Sequence, residues 1–211
     1  MNEQQIKDKL ESMKKLRTVL ALVTKVVALV AIVMIVVYNF MPVTRLKSSL
    51  PEQIVSAANL TEGFSFPGWQ MIYWGCGGQF IMQDNLFNPN VLTIIGSIGT
   101  VIVLIVCTAL YNRGKNKEKA IKEFVAAAML IYSAFVLGFL ILPVAAGAAT
   151  TGGVYDFKNR YLLCETSVFS AMPYAVLTGV VLLLAAAEKV FNGVFLLYQK
   201  SFALKNAPKK N

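Results

Sequence analysis

Ionisable side chains are rare in the long apolar runs of this sequence, and those few are the first candidates for chemistry. Lys25 lies near the start of the first run, and Glu188 and Lys189 interrupt the last one. A charge inside a membrane-spanning segment is costly, so it usually pairs or serves a function. At a rise of 1.5 Å per residue, Lys25 lies about 21 Å inward from Asn39, and Glu188 lies about 24 Å inward from Met172. The sequence predicts an intramembrane ion pair between Lys25 and Glu188. In the alternative, Lys25 extends to the headgroups and the last span ends before Glu188.

Patterns for catalysis or metal binding are absent from the sequence. It contains no His, no CxxC, no Gly-x-Ser-x-Gly and no HExxH, so neither the usual nucleophile arrangements nor a metal-ligand set can be assembled. The acids outside the apolar runs are scattered along polar stretches. We therefore expect no enzyme activity, no cofactor and no metal.

The three cysteines divide between two environments. Cys107 lies inside an apolar run and has the character of a small buried residue. Cys76 and Cys164 fall in the two polar connections expected outside the cell, where disulfides persist. A Cys76–Cys164 disulfide is one outcome, and two unpaired thiols are the other.

Composition indicates the elements that must position these residues. Of 211 residues, 56% are hydrophobic and 15% are charged, whereas a soluble domain carries about 25% charged residues. A helix that crosses the hydrocarbon core needs roughly 20 apolar residues. Four segments meet that requirement, at residues 18–41, 91–111, 124–146 and 170–198. The predicted fold class is an all-α integral membrane protein, a four-transmembrane-helix bundle with a long first extracellular loop.

The distribution of Lys and Arg predicts the orientation of the four spans. Of the 20 basic residues, six precede the middle of span one, five lie between spans two and three, and five follow from Lys189 onward, which leaves four on the other side. Cytoplasmic loops carry this kind of excess. We expect both termini in the cytoplasm and the protein in the plasma membrane. The net charge of +9 is accounted for by topology and gives no reason to expect nucleic-acid binding.

The segments between the spans follow from this topology. Residues 1–17 form an amphipathic cytoplasmic segment, with apolar residues at spacings of three and four. Residues 42–90 and 147–169 are the two extracellular loops, residues 112–123 a basic cytoplasmic loop, and residues 199–211 a basic cytoplasmic tail.

The first extracellular loop is dense in aromatic side chains and holds both tryptophans of the protein. Such residues anchor segments at the membrane interface, and they also carry much of the binding energy of protein interfaces. The residues that we single out for contact with a partner are Phe66, Trp69, Tyr73, Trp74 and Phe80.

Two resemblances accompany these residues. The stretch GFSFPGWQMIYWG, residues 63–75, resembles a segment before the second span in small, uncharacterised four-pass membrane proteins of Gram-positive bacteria, which implies four-pass topology and no activity. The layout of spans and loops also resembles that of claudin-like tetraspans. Their first loop carries Trp, then Gly-Leu-Trp, then two cysteines. Here Trp69, Trp74 and Gly75 stand in another arrangement with Cys76 alone, so the resemblance covers topology only.

The sequence thus favours a non-enzymatic four-pass membrane protein, a structural or accessory subunit that contacts a membrane-protein partner or its own copies through the aromatic loop. The alternative is a small oligomeric transporter or channel in which Lys25 or Glu188 faces the pathway.

Overall fold

The computed structural model of the protein describes residues 3–46, 65–69, 91–139, 164–165 and 173–206. Within these ranges, four helices are long and apolar enough to cross a membrane. This confirms the helical, four-helix part of the predicted fold class. The helices are α1 (Glu3–Tyr38), α2 (Val91–Ala109), α3 (Asn116–Gly138) and α4 (Pro173–Lys205).

Helix α1 joins two segments that the sequence analysis separated. Residues 3–17 of the amphipathic segment continue without a break into the first apolar run, because neither Pro nor Gly interrupts them. The helix ends at Tyr38, where the Asn39 side chain donates a hydrogen bond to the Ile35 carbonyl (2.8 Å). Pro42 follows and cannot continue a helical ladder.

Helix α3 begins at Asn116, well before the expected start of the third span at residue 124. Gly114 has a φ of +94°, which turns the chain between α2 and α3. The Lys115 backbone N–H then donates to the Glu118 carboxylate (3.3 Å), which closes the first turn. Much of the predicted basic loop is therefore helical, and Glu123 lies inside α3.

Helices α3 and α4 form the most extensive interface of the bundle. Their backbones approach most closely at Gly138 and Gly179, where a Cβ on Gly179 would lie 3.1 Å from the Gly138 Cα and a Cβ on Gly138 would overlap Gly179. Alanines line the same interface and are buried. Small residues allow helices to approach in this way when the surroundings are apolar.

Helices α2 and α3 meet at two π-helical segments, Ile95–Gly99 in α2 and Ala134–Gly138 in α3. Gly96 lies against Val136 there. Next to this contact, Thr100 Oγ1 and Ser133 Oγ are 2.6 Å apart, and Ser133 also donates to the Gly96 carbonyl.

Among the described residues, three short strands lie beyond the end of α1. They are β1 (Pro42–Leu46), β2 (Ser65–Pro67) and β3 (Cys164–Glu165), in the antiparallel order β2-β1-β3. In the register, Thr44 pairs with Phe66 and Leu46 with Cys164. The sheet therefore joins the two connections that were expected to be extracellular. We call this end of the bundle the strand end, and the opposite end, where α1 begins and α4 finishes, the terminal end.

Candidate functional site

A cluster of buried charged and polar side chains joins three helices towards the terminal end of the bundle. We call Thr24 of α1, Glu123 of α3, and Glu188 and Lys189 of α4 the charge cluster. Lys189 is its centre, with 3% of its side chain exposed. Its Nζ donates to the Thr24 carbonyl (2.7 Å) and to the Thr24 hydroxyl. The same Nζ lies 3.5 Å from Glu123 Oε2 and 3.8 Å from Glu188 Oε2.

Helical periodicity explains why these side chains lie on the buried faces of their helices. Thr24 continues the buried stripe of α1 that includes Leu20 and Ala28. Glu123 follows Ala120 by three residues on the buried face of α3, and Lys189 follows Ala185 and Ala186 on that of α4. Residues three and four apart lie on the same face of a helix, so each polar side chain enters the core beside small or apolar neighbours.

The cluster contains two carboxyl groups and one ammonium group. Glu123 has 3% of its side chain exposed and Glu188 has 15%. Thr24 Oγ1 lies 3.0 Å from Glu123 Oε2 and 3.3 Å from Glu188 Oε2, so its single hydroxyl hydrogen can serve one carboxylate at a time. Glu188 Oε1 is buried and has no hydrogen-bond partner among the described residues. A buried carboxylate oxygen without a donor can accept a proton or a cation.

Asn192 and Tyr111 extend the cluster towards α2. Asn192 is 1% exposed, and its side-chain amide donates to the Tyr111 hydroxyl (3.2 Å). The Tyr111 ring is itself buried and lies 5.8 Å from Lys119 Nζ. The phenol oxygen of Tyr111 is the acceptor of this hydrogen bond and links α4 to the end of α2.

The structure does not bring together the predicted ion pair of Lys25 and Glu188. Lys25 is exposed, one position beyond the inward-facing Thr24. Glu188 lies instead beside Lys189, its neighbour along the chain. Lys25 and Glu188 match in depth along their helices, but depth does not determine which face of α1 points towards α4.

Glu123 and Thr24 were not recognised as candidates from the sequence. The sequence predicts that Glu123 ends a basic loop, because five Lys and Arg residues precede it after the second span. A helical signal was nevertheless present, since Ala120, Ala127 and Leu130 recur on its face of α3 and all three are buried. Extending that periodicity towards the N-terminus would have placed Glu123 in the core.

The aromatic partner-contact candidates fall mostly outside the described residues. Tyr73, Trp74 and Phe80 lie there, and Phe66 lies in β2. Trp69 is half-buried, and its backbone N–H donates to the Asn39 carbonyl (3.1 Å). The adjacent Gly68 donates to the Met41 carbonyl (3.1 Å). The start of the aromatic segment is thus held against the end of α1.

The predicted disulfide between Cys76 and Cys164 stays a prediction. Cys76 lies outside the described residues, and of Cys164 the structure gives the backbone position in β3. Cys107 is half-buried in α2 with a free thiol. Among the described residues, no group of His, Cys, Asp and Glu could hold a metal ion.

No protein-family model, curated protein or solved structure matches this chain. The two resemblances given by the sequence stay expectations, and the case for function rests on the residues themselves.

Proposed function

We propose that this protein is a non-enzymatic four-pass protein of the plasma membrane that acts as a structural or accessory subunit. In this proposal both termini are cytoplasmic, and the aromatic segment from Phe66 to Phe80 contacts a membrane-protein partner or a second copy on the outside. Large apolar side chains are exposed on all four helices, and a lipid environment would cover them. The excess of Lys and Arg around the terminal end supports the orientation.

The observation that carries the proposal is the internal pairing of the charge cluster. Thr24 is 14 residues from Tyr38, Glu123 is 15 from Gly138 and Lys189 is 16 from Pro173, so all three lie about 21–24 Å from the strand end. That depth is inside a hydrocarbon core of about 30 Å. Because Lys189 donates to Thr24 and lies between two carboxylates, the cluster fixes α1, α3 and α4 relative to one another. Such a bundle presents a rigid outer surface to a partner.

Insertion and orientation are tested first. Carbonate extraction should leave the protein in the membrane fraction. A green fluorescent protein fused after residue 211 should fluoresce, since this reporter matures in the cytoplasm and not after export in an unfolded state. Release by carbonate, or a dark fusion protein at normal expression, would contradict the proposed topology.

The subunit role is tested by gentle extraction of tagged protein from its native membrane, followed by measurement of the mass of the complex. We expect a stoichiometric partner or a defined homo-oligomer that is lost in Trp69→Ala and Trp74→Ala. Tyr198→Ala is the matched control, because Tyr198 is an exposed aromatic residue of α4 near the terminal end. A monomer in every preparation, or equal loss in Tyr198→Ala, would contradict the role of the aromatic segment.

A small oligomeric transporter or channel is the second candidate, and the unpaired Glu188 Oε1 favours it. A carboxylate within the membrane that can exchange a proton is a common element of proton-coupled transport. In liposomes with a pH gradient, this candidate expects proton flux that Glu188→Gln abolishes without changing assembly. Glu118→Gln, at an exposed position of α3, should keep the flux. Absence of flux above that of empty liposomes would remove the candidate.

A further inference from the structure

A cavity of about 420 Å³ lies at the terminal end of the bundle, where three helices converge. Its volume falls in the range of small-molecule sites, roughly 300–1,000 Å³. The residues that line it come from α1, from the start of α3 and from the last turns of α4: Leu10, Lys14, Arg17, Lys115, Asn116, Gln199, Lys200 and Ala203.

All the charged side chains in this lining are basic, namely Lys14, Arg17, Lys115 and Lys200. Lys15, by contrast, lies outside this lining and has the Glu11 carboxylate 3.2 Å from its Nζ. In the described part of the chain, none of the four lining cations has a carboxylate oxygen within 4.0 Å. Positive charges gathered from three separate helices repel one another, and an anion between them would offset that repulsion.

Neutral donors complete the cavity. Gln199 is buried at 7% exposure, and its Oε1 accepts a hydrogen bond from Asn116 Nδ2 (3.5 Å). The Gln199 amide nitrogen makes no hydrogen bond to the described residues and stays available as a donor. The first backbone bond within α3 runs from the Lys119 N–H to the Lys115 carbonyl (3.0 Å). At this helix N-terminus the Glu118 carboxylate already accepts from the Lys115 N–H (3.3 Å), so the attraction of the cavity for an anion comes from its side chains.

The cavity lies at a depth that suits a phosphate group. Arg17 is 21 residues from Tyr38, Asn116 is 22 from Gly138, and Gln199 is 26 from Pro173. At 1.5 Å per residue these positions are about 32–39 Å from the strand end. A hydrocarbon core of about 30 Å ends just short of them, so they fall in the headgroup layer.

From this geometry we propose that the cavity is a binding site for a phosphate-bearing anion, either the headgroup of an anionic phospholipid or free phosphate in the cytoplasm. Half-buried Arg17 supplies a planar guanidinium that binds two phosphate oxygens. Lys14, Lys115 and Lys200 add charge around the rim, and Gln199 supplies a neutral donor at the wall. The proposal goes beyond the subunit role and requires membrane insertion only for its lipid form.

The test uses full-length protein purified in a mild detergent and stripped of lipid. Its thermal unfolding midpoint is followed during titration with dioctanoyl phosphatidylglycerol, with dioctanoyl phosphatidylcholine and with inorganic phosphate. We expect phosphatidylglycerol to raise the midpoint at lower concentration than phosphatidylcholine does. If inorganic phosphate raises the midpoint equally and removes the effect of the lipid, the site serves free phosphate. If the phospholipid alone acts, the site serves a headgroup.

The double variant Lys14→Gln/Arg17→Gln should weaken the apparent affinity for the effective ligand about tenfold, because two charge-assisted contacts are lost. Lys7→Gln/Lys117→Gln removes the same charge at exposed positions outside the cavity and should keep the affinity within about twofold. Equal loss in both variants would show general surface electrostatics and overturn the proposal. A wild-type protein whose midpoint neither phosphatidylglycerol nor phosphate raises above the phosphatidylcholine level would overturn it as well.

A second pair of variants guards against misfolding of the first. Lys200→Gln changes an exposed rim residue of α4, and Lys205→Gln changes an exposed residue beyond the cavity on the same helix. We expect about threefold weaker binding in Lys200→Gln and none of this loss in Lys205→Gln. Carbonate extraction measures membrane insertion and does not depend on the cavity. A failure of anion binding can therefore be distinguished from a failure of the proposed topology.

Discussion

The two halves of the bundle are held together by different means. Towards the terminal end, a buried lysine lies between two carboxylates and binds a threonine across the core. Towards the strand end, α3 and α4 approach at Gly138 and Gly179 without any charged group between them. Apolar packing gains little from a hydrophobic effect in lipid, so helices associate through close approach or through polar contacts. This bundle uses a charge cluster in the terminal half, whereas the strand half combines close approach of α3 and α4 with a neutral hydroxyl contact between α2 and α3.

This difference predicts which substitutions each half of the bundle can accept. A contact between small residues stays stable as long as neither residue is replaced by a larger one. A charge cluster is destabilised when any one of its charged members is removed. The terminal half should therefore respond sharply to the loss of one partner, and the strand half to the gain of one methyl group. Four single substitutions and one triple variant test this comparison.

The largest effect is expected for Lys189→Met. The variant leaves Glu123 and Glu188 buried without their cation, which costs about 3–5 kcal/mol by analogy with other broken buried pairs. The free energy of unfolding, measured in mixed micelles by titration with dodecyl sulfate, should fall by that amount. Lys205→Met is the control, because Lys205 is exposed on the same helix and lies outside the basic cavity, so its change should be within about 0.5 kcal/mol.

A triple variant sharpens the interpretation of that loss. Glu123→Leu, Glu188→Leu and Lys189→Met together remove all the charges of the cluster, and we expect most of the stability to return, since apolar replacement of a whole buried cluster is often neutral. If the triple variant were as unstable as Lys189→Met alone, the cluster would contribute through packing rather than through charge balance.

Gly138→Ala is expected to have the next largest effect. The added Cβ would overlap Gly179, whose backbone cannot move without displacing α4. Overpacking of this kind costs about 1–3 kcal/mol, measured by the same titration. Gly99→Ala is the matched control in α2, because its Cβ would meet its nearest neighbour at an ordinary 3.6 Å. That variant should be as stable as the wild type or slightly more so; a destabilised Gly99→Ala would mean that the π-helical segments cannot accept alanine at all.

Thr100→Val tests the polar contact in the strand half. The variant keeps the shape of the side chain and removes the hydroxyl that lies 2.6 Å from Ser133 Oγ. Interhelical hydrogen bonds of this kind contribute about 0.6 kcal/mol on average, and we expect a loss of that size. Ser133 still has the Gly96 carbonyl as an acceptor. A loss as large as that of Lys189→Met would contradict the contrast between the halves.

The smallest effect is expected for Lys25→Gln. Lys25 is exposed and has no carboxylate oxygen within 4.0 Å among the described residues, so the free energy of unfolding should change by less than about 0.5 kcal/mol. A double-mutant cycle with Glu188→Gln should be additive. Coupling above about 1 kcal/mol would restore the ion pair that the sequence suggested and would require α1 to rotate.

Much of the fold could be predicted from the sequence because spanning a membrane is a local requirement. Each run of about 20 apolar residues must be helical on its own account, since its backbone groups find no partner in lipid. The ends of the helices were less predictable. The start of α3 depends on the turn at Gly114 and on the Glu118 contact with Lys115, whereas the apolar run itself begins only at Phe124.

The candidate site was harder to predict because its members belong to separate helices. Glu188 was identified, but its charge partner and Thr24 depend on how α1, α3 and α4 are rotated about their axes. The basic cavity has the same origin, since Arg17 and Gln199 lie on helices at opposite ends of the chain. An excess of lysines and arginines is expected at the cytoplasmic end of any membrane protein. The feature that distinguishes this protein is that four of these cations surround one cavity.

The four helices and the separation of charge between the ends of the bundle can be derived from the amino-acid sequence, because each short segment partitions between lipid and water according to its own composition. Three features require the packed bundle: the lysine that meets each carboxylate, the two glycines that bring α3 against α4, and the cations around one cavity. These features depend on the relative rotation and spacing of neighbouring helices, which the composition of a single segment does not specify.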